Sequence, residues 1–296
     1  MKKPPSQPSE YEQKVINELN ERRQVPKKIN KFSKVLSSLS KPINRAGEWL
    51  TKMPGLDMAM EKTEGTLAAF AHNVTDWTVK QEETIKRYFE AGFSDVKTKE
   101  DIALLDLKVV EDAVGDLCKK YHTLAKEEEE DEVTALSLPG MPSDIIALVS
   151  MNHKAISEYA TMYGFDITLY HERVFALNIL EYAASTDEMT KKQVMRRLVE
   201  QTKKMVGKKK QEELDKSKFL KLFTKLTSSI TFQLLKAKVG QAISIKGAVI
   251  GTGFNAYFTT EVCDVANTLY KQRFLAEKYG PEIINLEEEE EDEKDK

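Results

Sequence analysis

Apolar residues recur at intervals of three and four positions along most of this chain, and this helical period constrains the fold more than any other feature. The segment that follows Thr98 is the clearest case, because each turn supplies an apolar residue to the same side. These residues are Ile102, Leu105, Val109, Ala113, Leu117, Tyr121 and Leu124. No stretch follows the pattern of a strand, a helix and a second parallel strand. The sequence therefore predicts an all-α fold, a single multi-helix bundle.

Start and stop residues divide the chain into predicted helices. Thr98 and Asp101 form a capping box, Gly164 ends a helix, and Thr168 can cap the next one. The predicted helices cover residues 10–23, 60–89, 98–124, 144–163, 168–182, 187–206, 219–239 and 247–279. Residues 1–8 are predicted to be a disordered N-terminus and residues 281–296 an acidic disordered tail. Between them, residues 9–280 form one helical domain that contains an acidic linker at residues 127–134.

The composition is that of a soluble helical protein, with 41% hydrophobic and 31% charged residues. A net charge of -3 provides no global basic field for nucleic acid. No stretch reaches the roughly 18 uncharged apolar residues of a spanning helix, and the N-terminus has no apolar signal segment. Cys118 and Cys263 lie far apart in sequence on apolar faces, which favours a reducing compartment. These features predict a cytoplasmic location. Peripheral attachment at the inner face of the cell membrane is a second expectation.

The glycine-rich segment from residue 247 to residue 260 has three interpretations. Gly251, Gly253 and Ala256 match the phosphate-binding turn of a dinucleotide fold, but a helical pattern follows where a second strand is needed. The segment is apolar enough to enter a bilayer, yet it is short and bordered by Lys246 and Glu261. The favoured interpretation is a glycine-rich helix for close packing against the same chain, a second copy or lipid. Its predicted contact residues are Gly247, Gly251, Gly253, Asn255 and Thr259.

A basic segment follows residue 190 and predicts attraction to an anionic membrane surface. Each Lys or Arg near such a surface contributes about 1 kcal/mol, so a group of four to six gives reversible attachment. The predicted patch consists of Lys192, Arg196, Arg197, Lys203, Lys204 and Lys208. Glu200, Glu212 and Glu213 dilute this charge, so a solvated charged helix is the alternative.

Candidate catalytic residues are few. His153 and His171 flank a predicted helix–loop–helix, and Asp144 and Asp166 are nearby carboxylates. An enzyme with a helical pocket would bring these four side chains together. The histidines lack the spacing of a metal-binding motif, so the sequence predicts neither a metal site nor a cofactor. Structural histidines are the favoured interpretation.

Several blocks of the chain resemble one known family. They are residues 10–12, 142–146, 155–166, 173–180 and 247–259, with Val262, Ala266, Tyr270, Arg273 and Phe274 closing the pattern. Together they resemble the EcsC family over roughly residues 9–280. That family is named for a gene beside an ABC exporter in a bacterial operon linked to secretion. Lys236, Lys238 and Lys246 make the approach to the glycine block less apolar than in many members, which favours surface attachment over insertion.

The resemblance implies a non-enzymatic accessory or regulatory protein at the cytoplasmic membrane face, or beside an ABC transporter or secretion system. A membrane-protein partner, an anionic lipid surface and a second copy of the chain are the expected partners, and nucleic acid is not. The alternatives are the enzyme with a helical pocket and a soluble scaffold that binds neither lipid nor substrate.

Overall fold

The computed structural model describes residues 7–21, 61–63, 65, 81–131, 141–185, 188–206, 215–243 and 253–283. These ranges contain ten α-helices, a short 3-10 turn at Pro281–Ile283 and no strand. The helices are α1 (Glu10–Glu21), α2 (Gln81–Glu90), α3 (Lys99–Ile102), α4 (Leu107–Val114), α5 (Leu117–Asp131), α6 (Met141–Met162), α7 (Tyr170–Ala184), α8 (Glu188–Met205), α9 (Lys216–Ile243) and α10 (Phe254–Tyr279). They pack together, so the predicted all-α fold is confirmed.

Helices α7 and α10 form the centre of the packing. Helix α10 packs most extensively on α5 and also contacts α6 and α7, while α7 packs on α6, α8 and α9. Most residues of both central helices are buried, polar ones included. A helix enclosed on several sides is apolar around most of its circumference, and the charges it carries need partners. These two helices therefore position most of the polar contacts described below.

The predicted helix after Thr98 is three helices, α3, α4 and α5. The capping box of Thr98 and Asp101 is present as predicted, but α3 ends at Ile102. Asp106 then caps α4 by accepting a hydrogen bond from the Lys108 backbone N–H, and Gly115, with φ 52°, follows its last residue Val114. Residues that hydrogen-bond locally outside a helix compete with its continuation, and the apolar period does not record this competition. Most of the predicted apolar positions are nevertheless buried.

Three other boundaries differ from or match the sequence predictions. Gly164 ends α6 with φ 82°, as predicted. Thr168 does not cap α7, because the cap position is Leu169, which makes no side-chain capping bond. The Thr168 hydroxyl instead donates a hydrogen bond to Asp166. The acidic run begins inside α5, which continues through Asp131, rather than in a linker. Residues 132–134 lie outside the described residues.

The glycine-rich helix is not confirmed. Helix α10 begins at Phe254, and Gly253 precedes it with φ 148°. Since only glycine adopts this backbone conformation without strain, Gly253 permits the turn into α10 rather than forming part of a helical face. Gly247 and Gly251 lie outside the described residues. No helix in the described ranges is long and apolar enough to cross a membrane.

Candidate functional site

Helix α8 carries most of the predicted basic patch on one exposed side. Lys192, Arg196, Lys203 and Lys204 are exposed, and so is Met189, at 71%. Met189, Lys192, Arg196 and Lys203 are separated by three, four, seven and eleven positions, so they lie on the same side of the helix, and Lys204 lies at the edge of this face. Its neighbour Glu200 lies 3.6 Å from Lys204 and offsets part of the charge. The face combines cations with one exposed apolar side chain.

Two members of the predicted patch are placed differently. Arg197 turns toward the buried Glu181 on α7 and forms an ion pair with it. Ser229 on α9 donates a second hydrogen bond to Glu181, at 2.9 Å. Arg197 thus helps to hold α8 on α7, and Ser229 joins α9 to the same carboxylate, although the Arg197 side chain remains 42% exposed. Lys208 lies outside the described residues.

Lys191 is adjacent in sequence to Lys192 of this face, but its side chain is buried. Its Nζ lies 3.3 Å from the Glu261 carboxylate on α10, and both side chains are at most 5% exposed. Successive helical residues project about 100° apart, which places Lys191 against the core while Lys192 faces outward. Burial raises the pKa of Glu261 to about 7, although the attraction of Lys191 acts in the opposite direction.

Helix α9 carries a second basic face, which the sequence prediction missed. Lys218, Lys221 and Lys225 are exposed, and Leu222 and Phe232 on the same side are each 38% exposed. The spacing of these residues at three, four, seven and fourteen positions was available in the sequence as a helical signal. An exposed side that combines lysines with large apolar residues is typical of helices that lie on a membrane surface.

Asn255 and Thr259, from the predicted close-packing face, lie between α10 and α6. The Asn255 side-chain amide donates to Asp144 at 3.3 Å, and the Asn152 amide donates to Thr259 at 3.1 Å. All four side chains are buried. For these two residues of the predicted face, the contact is therefore with a helix of the same chain. Asp144, a candidate catalytic carboxylate, takes part in this helix–helix contact.

Arg273 on α10 forms a buried ion pair with Glu172 on α7. Two guanidinium nitrogens donate to the two carboxylate oxygens at 2.7 and 2.6 Å, and the side chains are 1% and 5% exposed. The guanidinium also lies 4.1 Å from the ring centre of Phe165 and 4.4 Å from that of Phe175. Bidentate geometry and ring contacts offset the cost of removing these charges from water. His171 lies beside this pair, with Nε2 3.7 Å from Glu172.

His153 is fully enclosed in α6. Ser157 donates a hydrogen bond to its backbone carbonyl at 2.9 Å. Burial, assisted by the positive charge of Arg173, lowers the pKa of His153 to about 3. The imidazole is therefore neutral at ordinary pH, and its burial separates it from solvent and substrate. These properties are those of a structural histidine.

Asp166 lines a small cavity between α2, α3 and the loop that joins α6 to α7. The cavity has a volume of about 320 Å³ and is also lined by Thr84, Lys99 and Thr161. Partial burial opposes ionisation of Asp166, but hydrogen bonds from Lys99 at 2.5 Å and from Thr168 outweigh it and lower the pKa. Of the four candidate catalytic residues, Asp166 alone lines this described cavity. The cavity could hold a small polar ligand beside an ion pair.

The fold and its charges define an all-α protein with ion-paired polar contacts in its core and exposed cationic faces on α8 and α9. The sequence matches the EcsC protein family over residues 13–275 of 296. The chain therefore belongs to the EcsC protein family. Searches of curated proteins and of solved structures gave no match.

Proposed function

We propose that this EcsC family member is a non-enzymatic accessory protein that binds anionic lipid surfaces through the exposed faces of α8 and α9. The observation that carries the proposal is the combination on each face of unburied cations with exposed apolar side chains. Met189 accompanies the cations of α8, and Leu222 and Phe232 accompany those of α9. Cations attract the helix to the lipid headgroups, and apolar side chains add a short-range contribution once they enter the interface.

The expected attachment is reversible and sensitive to salt. The exposed cations of the two faces include Lys192, Arg196, Lys203 and Lys204 on α8 and Lys218, Lys221 and Lys225 on α9. At about 1 kcal/mol each, they provide several kcal/mol at low ionic strength. Glu200 and the Asp215 partner of Lys218 reduce this sum. Salt screens the remaining attraction, so the protein should leave the surface as ionic strength rises.

Co-sedimentation with vesicles tests the proposal. The full chain is mixed at low salt with vesicles of phosphatidylglycerol and phosphatidylcholine, or of phosphatidylcholine alone. We expect binding to the anionic vesicles only, and release when salt is added. Reversing the three α8 cations, with Lys192→Glu, Arg196→Glu and Lys203→Glu, should weaken binding at least about tenfold, and the corresponding α9 variant should do the same.

The matched control reverses three exposed lysines elsewhere, with Lys108→Glu, Lys119→Glu and Lys154→Glu on α4, α5 and α6. It changes the net charge by the same amount, so it should retain most of the binding if the position of the charge matters. Equal losses in the control and in the α8 and α9 variants would indicate a nonspecific charge effect. No binding of the parent chain to anionic vesicles would reject the proposal.

We further propose that the membrane partner is a protein linked to ABC export, and this part rests on the family alone. Tagged full-length chain should copurify with a transporter from detergent-solubilised membranes of its own host. If a reciprocal pull-down with the transporter did not recover the chain, this part would be withdrawn. The vesicle measurements on purified lipid would be unaffected.

A further inference from the structure

The cavity beside the Lys99–Asp166 ion pair has the size of a site for one small molecule. It lies between α2, α3, the end of α6 and the loop that follows α6, and its volume is about 320 Å³. This volume is at the lower end of the range of small-molecule sites. Since liquid water occupies about 30 Å³ per molecule, the space accommodates about ten non-hydrogen atoms. A ligand that fills it therefore has the size of a single amino acid.

The ion pair retains the capacity to bind a ligand. Lys99 Nζ donates to Asp166 Oδ2 at 2.5 Å, and Thr168 donates to Asp166 Oδ1 from its backbone N–H at 3.0 Å and from its hydroxyl at 2.6 Å. An ammonium has three donors and a carboxylate has about four acceptor positions. The described residues thus leave two donors of Lys99 and one further acceptor position of Oδ2. The two side chains are 43% and 29% exposed, so a molecule from solution can reach them.

The remaining walls of the cavity are mostly apolar and are held in place by the fold. The apolar side chains that line it are Ile85, Ile102, Phe165 and Ile167. The Phe165 ring centre lies 4.1 Å from the Arg273 guanidinium and 5.5 Å from the Tyr270 ring centre. The Thr84 hydroxyl donates to Thr161 at 3.2 Å, so toward a ligand it can only accept. Walls that are in place before binding reduce the entropic cost of binding.

The two charges discriminate between classes of small ligand. A monocarboxylate or an inorganic anion would gain an attraction to Lys99 but would be repelled by Asp166, and a simple amine would meet the reverse. A zwitterion with both charges on one carbon can place its carboxylate beside Lys99 and its ammonium beside Asp166. Each charge then lies next to an opposite one, and the ion pair of the protein stays intact.

We propose that this cavity binds a free α-amino acid with an apolar side chain. Its carboxylate accepts hydrogen bonds from Lys99, its ammonium donates to Asp166 Oδ2, and its side chain contacts the apolar walls. In a peptide the two terminal charges belong to different residues, so the adjacent charges of the site favour a free amino acid. The inference goes beyond lipid binding and does not depend on it.

Ligand-observed NMR on the full-length chain tests the proposal, with leucine as the probe. Leucine should show saturable binding. Isocaproate, which lacks the ammonium, and leucinamide, which lacks the carboxylate, should each bind at least about tenfold more weakly. Glycine, which lacks the apolar side chain, should also bind at least about tenfold more weakly. These comparisons use the unmodified protein, so they do not depend on the folding of a variant.

Two substitutions locate the site. Lys99→Met removes the cation and keeps much of the side chain, and Asp166→Asn removes the anion and keeps an oxygen for Thr168. Each should weaken leucine binding at least about tenfold. The matched control is Lys108→Met, at an exposed lysine of α4, which should bind leucine as the parent chain does. Circular dichroism checks the folding of each variant.

Several results would overturn the inference. The first is no saturable binding of leucine up to about 20 mM. Equal binding of leucine and isocaproate would indicate a simple anion site at Lys99, and equal binding of leucine and leucinamide a simple cation site at Asp166. Equal binding of glycine would show that the apolar walls take no part. Unchanged leucine binding by both folded variants would place the ligand elsewhere. The vesicle measurements would be unaffected by any of these results.

Discussion

The interior around α7 and α10 and the outer faces of α8 and α9 use charged residues in opposite ways. In the interior, Arg273 and Glu172 are almost fully enclosed and hold each other with two hydrogen bonds. On the outer faces, Lys192 and Lys221 are exposed to solvent. Lys191 and Lys192 show the contrast between adjacent residues, since the first is buried against Glu261 and the second is exposed. The surroundings, and not the residue type, decide what a charge does.

This difference has an energetic consequence. Buried ions lose their hydration, so the net gain from a buried pair is small, but removing one partner leaves the other charged and unpaired. Exposed cations lose little hydration on folding and contribute little to stability. We therefore expect substitutions in the interior to change stability and substitutions on the outer faces to change binding.

The largest effect is expected at the buried Arg273–Glu172 pair. Arg273→Ala should lower the free energy of unfolding by about 3–5 kcal/mol, because it leaves the Glu172 carboxylate buried without its ion-pair partner. Urea unfolding followed by circular dichroism measures the change. The double variant Glu172→Met with Arg273→Met should recover much of the loss, since it removes both charges and retains apolar volume.

An exposed ion pair provides the control for this prediction. Lys86 lies 3.5 Å from Glu90, one helical turn away, and both side chains are at least 60% exposed. Lys86→Ala should cost about 0.5 kcal/mol or less. Similar losses for Lys86→Ala and Arg273→Ala would contradict the distinction between interior and surface charges.

The next effect is a pH dependence of opposite sign at two buried glutamates. The pKa of Glu261 is raised from 4.5 to about 7 in the folded state, so the folded state binds the extra proton and this contribution to stability is lost as the pH rises from about 4.5 through 7. Unfolding experiments should show a loss of roughly 1–3 kcal/mol between about pH 5 and pH 8 that is absent in Glu261→Gln.

Glu12 provides the opposite case. Burial raises its pKa, but hydrogen bonds from Lys278, Tyr279 and two backbone N–H groups outweigh this and lower it below the usual 4.5. Its contribution is present above about pH 4.5 and is lost as the pH falls through the lower folded pKa. Glu12→Gln should therefore reduce the steepness of acid unfolding. A Glu12→Gln variant with the acid sensitivity of the parent, or a Glu261→Gln variant with the parent's dependence above pH 5, would contradict the assignment.

A smaller effect on stability is expected when alanine replaces either of two glycines that have positive φ. Gly164 and Gly92 have φ of 82° and 94°. A Cβ on Gly164 would lie 3.2 Å from the Lys99 carbonyl oxygen, whereas one on Gly92 would meet nothing within 4 Å. Gly92→Ala should cost about 1 kcal/mol from the backbone alone, and Gly164→Ala should cost more. Thermal unfolding measures both, and equal costs would show that the packing beside Gly164 adjusts freely.

The smallest effect on stability is expected on the outer face of α8. The variant with Lys192→Glu, Arg196→Glu and Lys203→Glu should change the free energy of unfolding by about 1 kcal/mol or less, because these side chains are exposed. Its loss of vesicle binding would then reflect the surface and not unfolding. A large destabilisation, measured by urea unfolding, would place this face among the elements that hold the fold.

Local signals account for the parts of the structure that were predicted correctly. The capping box at Thr98 and the helix end at Gly164 depend on residues a few positions apart, so the sequence contains all the relevant information. The predicted helix after Thr98 was wrong in its continuity, because Asp106 and Gly115 interrupt it while the apolar period continues. The basic face of α9 was missed although its helical spacing was present in the sequence.

Long-range pairs account for what could not be predicted. Arg273 and Glu172 are separated by 101 positions, and Asn255 and Asp144 by 111. The helical period indicates which side of each helix is apolar, but it does not indicate which helices meet or at what register. The candidate catalytic residues show the same limit: Asp166 lines the described cavity, Asp144 contacts Asn255 and His153 is buried in α6, since proximity in sequence does not establish proximity in space.

The sequence alone determined the helical class, the family and several helix ends, because periodicity, capping and motif order are local or linear properties. Only the tertiary structure decided that Lys191 is buried while Lys192 is exposed, and that Asn255 on α10 contacts Asp144 on α6. It also decided that Gly253 precedes a helix instead of lining one. These outcomes depend on the rotation and register of one helix against another, which the packing of all helices determines together.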